Sequence, residues 1–167
     1  QTALGMQTKK YSLDATKAAG TPLTAKGKAQ IEKYIHDVLG NSVMVDFPFL
    51  PHAGEFANNV VSVSVHALNP TTVAYHESLH ALFKQLKDKG LDGANKVVEQ
   101  AASKPAVTAR LRELLAHSPD ALAQLKDAEE RAAYMYQFWA NGDAKLIAAM
   151  GEKSTNLFTR ITDALKK

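Results

Sequence analysis

Apolar residues recur at helical spacing over most of the chain and at strand spacing only between about residues 42 and 67. Ile31, Tyr34, Ile35, Val38 and Leu39 repeat at three- and four-residue intervals, with Thr24 at an N-cap position and Gly40 just past the last turn. Ser42–Phe47 is a short β-type run, and Pro48, Pro51 and Gly54 mark a loop after it. From Val60 to Ala67 the pattern alternates. Val61, Val63, Val65 and Ala67 face one way and Ser62, Ser64 and His66 the other, which predicts a strand with one buried face. Asn69-Pro70 then opens a helix that runs to about Asp88 and stops before Gly90. Lys104-Pro105 and Ser118-Pro119 open two more, the second predicted to continue unbroken to Asn141. A last amphipathic segment from about Thr155 sets Leu157, Phe158, Ile161 and Leu165 on one side. The pattern predicts an α+β fold: a small antiparallel sheet, then a helical majority. Residues 1–22 mix Gly, Thr, Lys and Ser and read as a flexible arm; residues 23–167 read as a single domain.

Length and composition fit that reading. A chain of 167 residues with 46% apolar and 22% charged positions is one ordinary globular domain. No run approaches the roughly 18 consecutive apolar residues of a membrane helix, and Gln1–Lys10 holds no apolar signal region. The chain opens with Gln rather than Met, so it is expected to be either a processed chain or a piece of something longer. It has no cysteine, which excludes disulfide scaffolds, thiolate metal sites and cysteine nucleophiles. The net charge is +3, with Lys and Arg interleaved with acids and no block of like charge. Neither a nucleic-acid nor a membrane partner is expected; the expected partner is a protein or peptide, and the expected state a monomer.

The chemistry-bearing segment is His76-Glu77-Ser78-Leu79-His80, on the helix opened by Pro70. Residues four apart lie on one helix face, about 5–6 Å apart at Cβ, so His76 and His80 can reach one metal ion. Glu77 is offset by about 100° and can reach a metal-bound water without ligating. This is the zinc peptidase motif. With 6 His in the chain, such a motif is expected by chance only about 0.01 times. A catalytic zinc needs a third protein ligand. No histidine follows at the metzincin spacing, and His117 sits at a predicted helix boundary where exposure is expected. The candidates are the acids Asp127, Glu129 and Glu130 on the last long helix.

His-Glu-x-x-His followed by Glu-x-x-Ala on a later helix resembles the gluzincins. More narrowly, it resembles the small metallopeptidase domains of the ImmA/IrrE type found in multidomain proteins of phages and mobile elements. The resemblance covers Val60–His66, the helix of His76 and His80, and Glu129–Trp139. It implies a zincin-like fold and a cleft lined by the strand before the metal helix. It also implies a site in the cytoplasm of a bacterial host or in a virion. Both Glu129 with Ala132 and Glu130 with Ala133 fit Glu-x-x-Ala. The family's aromatic position falls on Tyr136 if Glu130 is the ligand. The helical stripe Leu122, Leu125, Glu129, Ala132, Tyr136, Trp139 instead favours Glu129 as the more buried side. Glu130 is preferred.

The expected function is a zinc-dependent endopeptidase. His76, His80 and Glu130 hold Zn²⁺, whose bound water loses its proton to Glu77. Tyr75, Tyr134, Tyr136 and His66 are oxyanion candidates, each with packing against the metal helix as the competing role. Val60–His66 is a candidate for strand addition by an extended peptide. Phe47, Phe49 and Phe56 either wall the cleft or cap the core; Phe138 and Trp139 read as core. The alternative is a non-catalytic zincin-like or helical protein-interaction module.

Overall fold

A computed structural model of the chain describes residues 9–11, 24–48, 50, 54–64, 70–151, 156 and 158–159. The elements in order are β1 (Lys9–Tyr11), α1 (Ala25–Leu39), β2 (Met44–Asp46), β3 (Gly54–Ala57) and β4 (Val60–Val63), then α2 (Pro70–Asp88), α3 (Gly93–Ala102) and α4 (Pro105–Leu114), and finally α5 (Pro119–Gln124), α6 (Ala128–Ala140) and α7 (Ala144–Met150). The fold is α+β, with a helical majority after a small sheet.

Local chemistry sets most boundaries. Thr24 Oγ1 accepts from the Gly27 amide at 3.1 Å, and the Gly40 amide closes α1 on the His36 carbonyl. Pro105 and Pro119 start α4 and α5, Ser118 capping the latter. The helix expected to run unbroken from Pro119 to Asn141 is two helices. Leu125–Asp127 form a turn, and the Asp127 carboxylate accepts from the amides of Glu129 and Glu130 at 2.8 and 3.0 Å. An aspartate that satisfies two orphan amides restarts the helix there. The final amphipathic segment falls largely outside the described residues, although Phe158 is buried.

The sheet order is β1-β3-β4-β2. It is mixed rather than antiparallel. β1 and β4 flank β3 antiparallel, with Lys10 opposite Glu55 and Phe56 opposite Val61, while β2 runs parallel to β4. The Asn58-Asn59 turn, with φ of 55° and 64°, returns β4 into the gap between β3 and β2. Alternation in the sequence marks a strand but not the direction of its neighbour. β1 lies inside the segment expected to be a loose arm; the rest of that arm is outside the described residues.

β4 has neighbours on both sides over Val60–Ser62, so strand addition at that segment is excluded. Among the described residues, the strand expected to reach Ala67 covers Val60–Val63, and Ser64 lies beyond it. Ser62 and Ser64 are buried along with Val61 and Val63, so both faces are covered there. Residues 65–69, including His66, lie outside the described residues.

α2 is the centre of the molecule. It packs against β3 and β4 on one side, α6 on another and α1 on a third. Its residues are buried almost all round, among them Val73, Leu79, Leu82, Phe83 and Leu86. The sheet approaches closely because residue 54 is glycine. A Cβ there would lie 2.4 Å from Val73 Cγ1 and 3.4 Å from Glu77 Cγ. Such a helix pushes four polar residues, His76, Glu77, Ser78 and His80, into the interior. Buried polar groups need partners; those of His76 and His80 come from α6, and Ser78 donates to the Tyr75 carbonyl of its own helix.

Candidate metal centre

His76 and His80 lie one turn apart on α2, their ring centroids 5.3 Å apart. α6 crosses this face and presents Glu130, which is only 6% exposed. Glu130 Oε1 is 3.0 Å from His76 Nε2, and its Oε2 is 3.3 Å from His80 Nε2. One ligand atom from each of the three residues lies within 4.8 Å of the others. This buried group could hold a metal ion.

The remaining ring nitrogens are anchored. His76 Nδ1 meets Gln137 Oε1 at 2.8 Å, and His80 Nδ1 meets Glu129 Oε2 at 2.5 Å. Glu130 and Gln137 are seven residues, or two turns, apart on α6, so they share a face. Each histidine thus directs Nε2 at Glu130 while its Nδ1 is held from α6.

Three observations test whether a metal fits. First, His80 Nε2 is buried, and its neighbour Glu130 Oε2, 3.3 Å away, is not placed to hydrogen-bond it. Second, burial pushes His76 below the ordinary histidine pKa, against the opposing pull of Glu130, and so favours the neutral ring. A neutral His76 that donates Nδ1–H to Gln137 turns an Nε2 lone pair towards a carboxylate oxygen 3.0 Å away. A shared proton or a metal ion can bridge two such atoms. Third, an ion roughly 2.0–2.1 Å from each ligand in a tetrahedral shell separates its ligands by about 3.3 Å. The two histidine–glutamate separations, 3.0 Å to one Glu130 oxygen and 3.3 Å to the other, are close to that spacing. A donor set of two imidazoles and a carboxylate suits zinc and other first-row divalent ions.

Without a metal the group compensates internally. Burial lowers the His80 pKa, but its bond to Glu129 and the charges of Glu130 and Glu77 outweigh that and bring it up to about 10. For Glu130, burial acts upward, yet its hydrogen bond to His76 and the nearby His80 hold it well below the usual carboxylate range.

Glu77 is fully buried beside this group, close enough for its charge to act on His80. The other residues singled out from the sequence are placed as follows. Tyr134 lies edge-on to His76, centroids 4.4 Å apart, and its hydroxyl donates to Gln124 Oε1 at 2.5 Å. The Tyr136 hydroxyl is bonded to that of Tyr34, and Tyr75 packs edge-on against Tyr34 at 4.9 Å. Each of these three tyrosines therefore has a packing role. Trp139 is partly buried against Tyr136 and Phe158, and Phe56 is buried under the hairpin. Asp127 caps α6, and His117 is exposed.

The helical stripe drawn through Leu122 and Leu125 does not extend to Glu129. The turn at Leu125–Asp127 resets the phase, leaving the Glu129 side chain 30% exposed and Glu130 inside. Gln137 was not among the sequence candidates, because glutamine is not a zinc ligand. Its spacing of two turns from Glu130 was the available signal.

Among the described residues, no helix is long and apolar enough to cross a membrane. In comparisons with known proteins, no family model, curated protein or solved structure matches this chain.

Proposed function

We propose that this chain is a zinc-dependent peptidase of the zincin type, resembling the gluzincins. The observation that carries the reading is the convergence of His76, His80 and Glu130 with Glu77 fully buried beside them. The first three are the ligand set; zinc held there supplies a Lewis acid that activates a water and polarises a peptide carbonyl. Glu77 accepts the proton of the attacking water and returns it to the leaving amine. Its place, one residue after a ligand on a helix pinned by Gly54, fixes its distance from the reacting atoms. Glu129 and Gln137 hold the two imidazoles in the tautomer that directs Nε2 inward. The substrate is a protein or peptide.

Burial of all three candidate ligands supports a second reading, a non-catalytic module in which the metal is structural. Glu77 separates the two, since a structural site has no use for a buried carboxylate that does not ligate. The zinc-loaded chain is expected to cleave a denatured protein substrate. Glu77→Gln is expected to retain zinc and lose at least about 100-fold in rate. Unaltered cleavage by Glu77→Gln would overturn the assignment, and absence of cleavage by a zinc-loaded wild-type chain would favour the structural module.

A further inference from the structure

A cavity of about 320 Å³ opens between the β3–β4 hairpin and the outer side of α2 and α6. It reaches His80 itself. Phe56 and Phe83, both buried, give it an apolar floor, and Lys84, Lys87 and Glu129 are charged groups on its wall. These charges are not equally committed. Glu129 is bound to His80 Nδ1, and Lys84 is paired with Asp88 at 2.7 Å. Lys87 makes no ion pair with any described residue. An occupant therefore meets apolar surface at the base, the buried Oδ1 of Asn95, and at the rim one ammonium, Lys87, that is not committed to another described residue.

The complement of that lining is a short apolar stem ending in an anion. We propose that the cavity is a specificity pocket that receives a glutamate side chain of a peptide substrate, its carboxylate facing Lys87. This rests on the peptidase reading for its biological sense, and on the lining alone for its chemistry. The cavity meets His80 and Glu129, on the Nδ1 side of the ring, so an accepted residue sits one imidazole away from the Nε2 that faces Glu130. An acidic preference follows from charge complementarity, which discriminates between partners more strongly than it raises affinity.

The test separates binding from cleavage. The zinc-loaded Glu77→Gln variant, which leaves peptides intact, is titrated with two fluorescent decapeptide pools identical except for a central Glu or Gln. The Glu pool is expected to bind about 5-fold more tightly, with the difference shrinking at high salt. Lys87 is exposed, so Lys87→Met leaves the core untouched; it should abolish the difference. Lys87→Glu should turn the preference towards a Lys pool. Equal binding of the Glu and Gln pools, or a preference that survives Lys87→Glu, overturns the pocket. Selective binding by a chain whose wild-type form cleaves neither pool would leave the pocket standing and remove the peptidase reading. Indiscriminate cleavage with indiscriminate binding would do the reverse.

Discussion

Glu129 and Glu130, adjacent in the chain, hold opposite nitrogens of one imidazole. Glu129 Oε2 lies 2.5 Å from His80 Nδ1, and Glu130 Oε2 lies 3.3 Å from His80 Nε2. The cap at Asp127 makes this possible by starting α6 at a phase that turns Glu130 inward and leaves Glu129 at the edge. One carboxylate thereby joins the buried group that could hold a metal ion, and its neighbour orients the His80 ring of that group.

The two glutamates should respond differently to the same substitution. Glu130→Gln should remove most of the zinc affinity, because a ligand is lost. Glu129→Gln should weaken zinc by about 10- to 100-fold, the usual cost of losing a partner that orients a histidine ligand. Competition against a chromophoric chelator measures both. Equal effects would contradict the division of roles.

Metal removal should lower stability. His76, His80 and Glu130 are buried as a group, and a ligand that binds only the folded chain stabilises it by mass action. At a zinc concentration about 100 times Kd the gain is about 2.7 kcal/mol. The thermal midpoint is expected to fall on chelation in the wild-type chain and to stay unchanged in His80→Ala.

Gly54 sets the distance between the sheet and α2. A methyl group at residue 54 meets Val73 Cγ1 at 2.4 Å and the Ser62 carbonyl at 2.9 Å, and the carbonyl cannot yield by changing rotamer. Gly54→Ala should cost about 1–3 kcal/mol. Because Glu77 Cγ is the next nearest atom, the change should reduce cleavage more than it reduces zinc binding. Chemical denaturation, read beside zinc stoichiometry, checks this.

How far the site was legible in the sequence varied with the kind of signal. The metal helix announced itself through Pro70, Gly90 and the His76–His80 spacing, since prolines and glycines at helix ends carry their meaning locally. The break before α6 was not legible. Asp127 lies in a run of helix-forming residues, and whether an aspartate caps or continues depends on tertiary packing. The ambiguity between Glu129 and Glu130 came from that missing boundary. The direction of β2 beside β4 was not legible either, because strands of three or four residues are paired by the loops around them. Gly54 reads as a loop glycine in the sequence, yet its role is close packing.

The Asp143–Arg110 pair gives a pH dependence away from the metal centre. Asp143 caps α7 through the Leu146 amide at 2.8 Å and pairs with both Arg110 Nε and Nη2, at 3.0 and 2.8 Å. The bond from Arg110 holds its carboxyl below the ordinary aspartate pKa. A carboxylate lowered on folding contributes stability that is present above the unfolded pKa, about 3.9, and is lost as pH falls through the folded value. Asparagine caps about as well as aspartate, so Asp143→Asn isolates the charge. Wild type should exceed Asp143→Asn in thermal midpoint at pH 7, with the gap closing below about pH 4. A gap that is constant with pH would contradict the assignment.

The most direct test of the central claim is zinc content. Elemental analysis of the purified chain, beside His80→Ala and Glu130→Ala, should give one zinc per wild-type chain and none in either variant. No zinc in the wild-type chain after incubation with excess metal would contradict the metal centre, and the peptidase reading would fall with it.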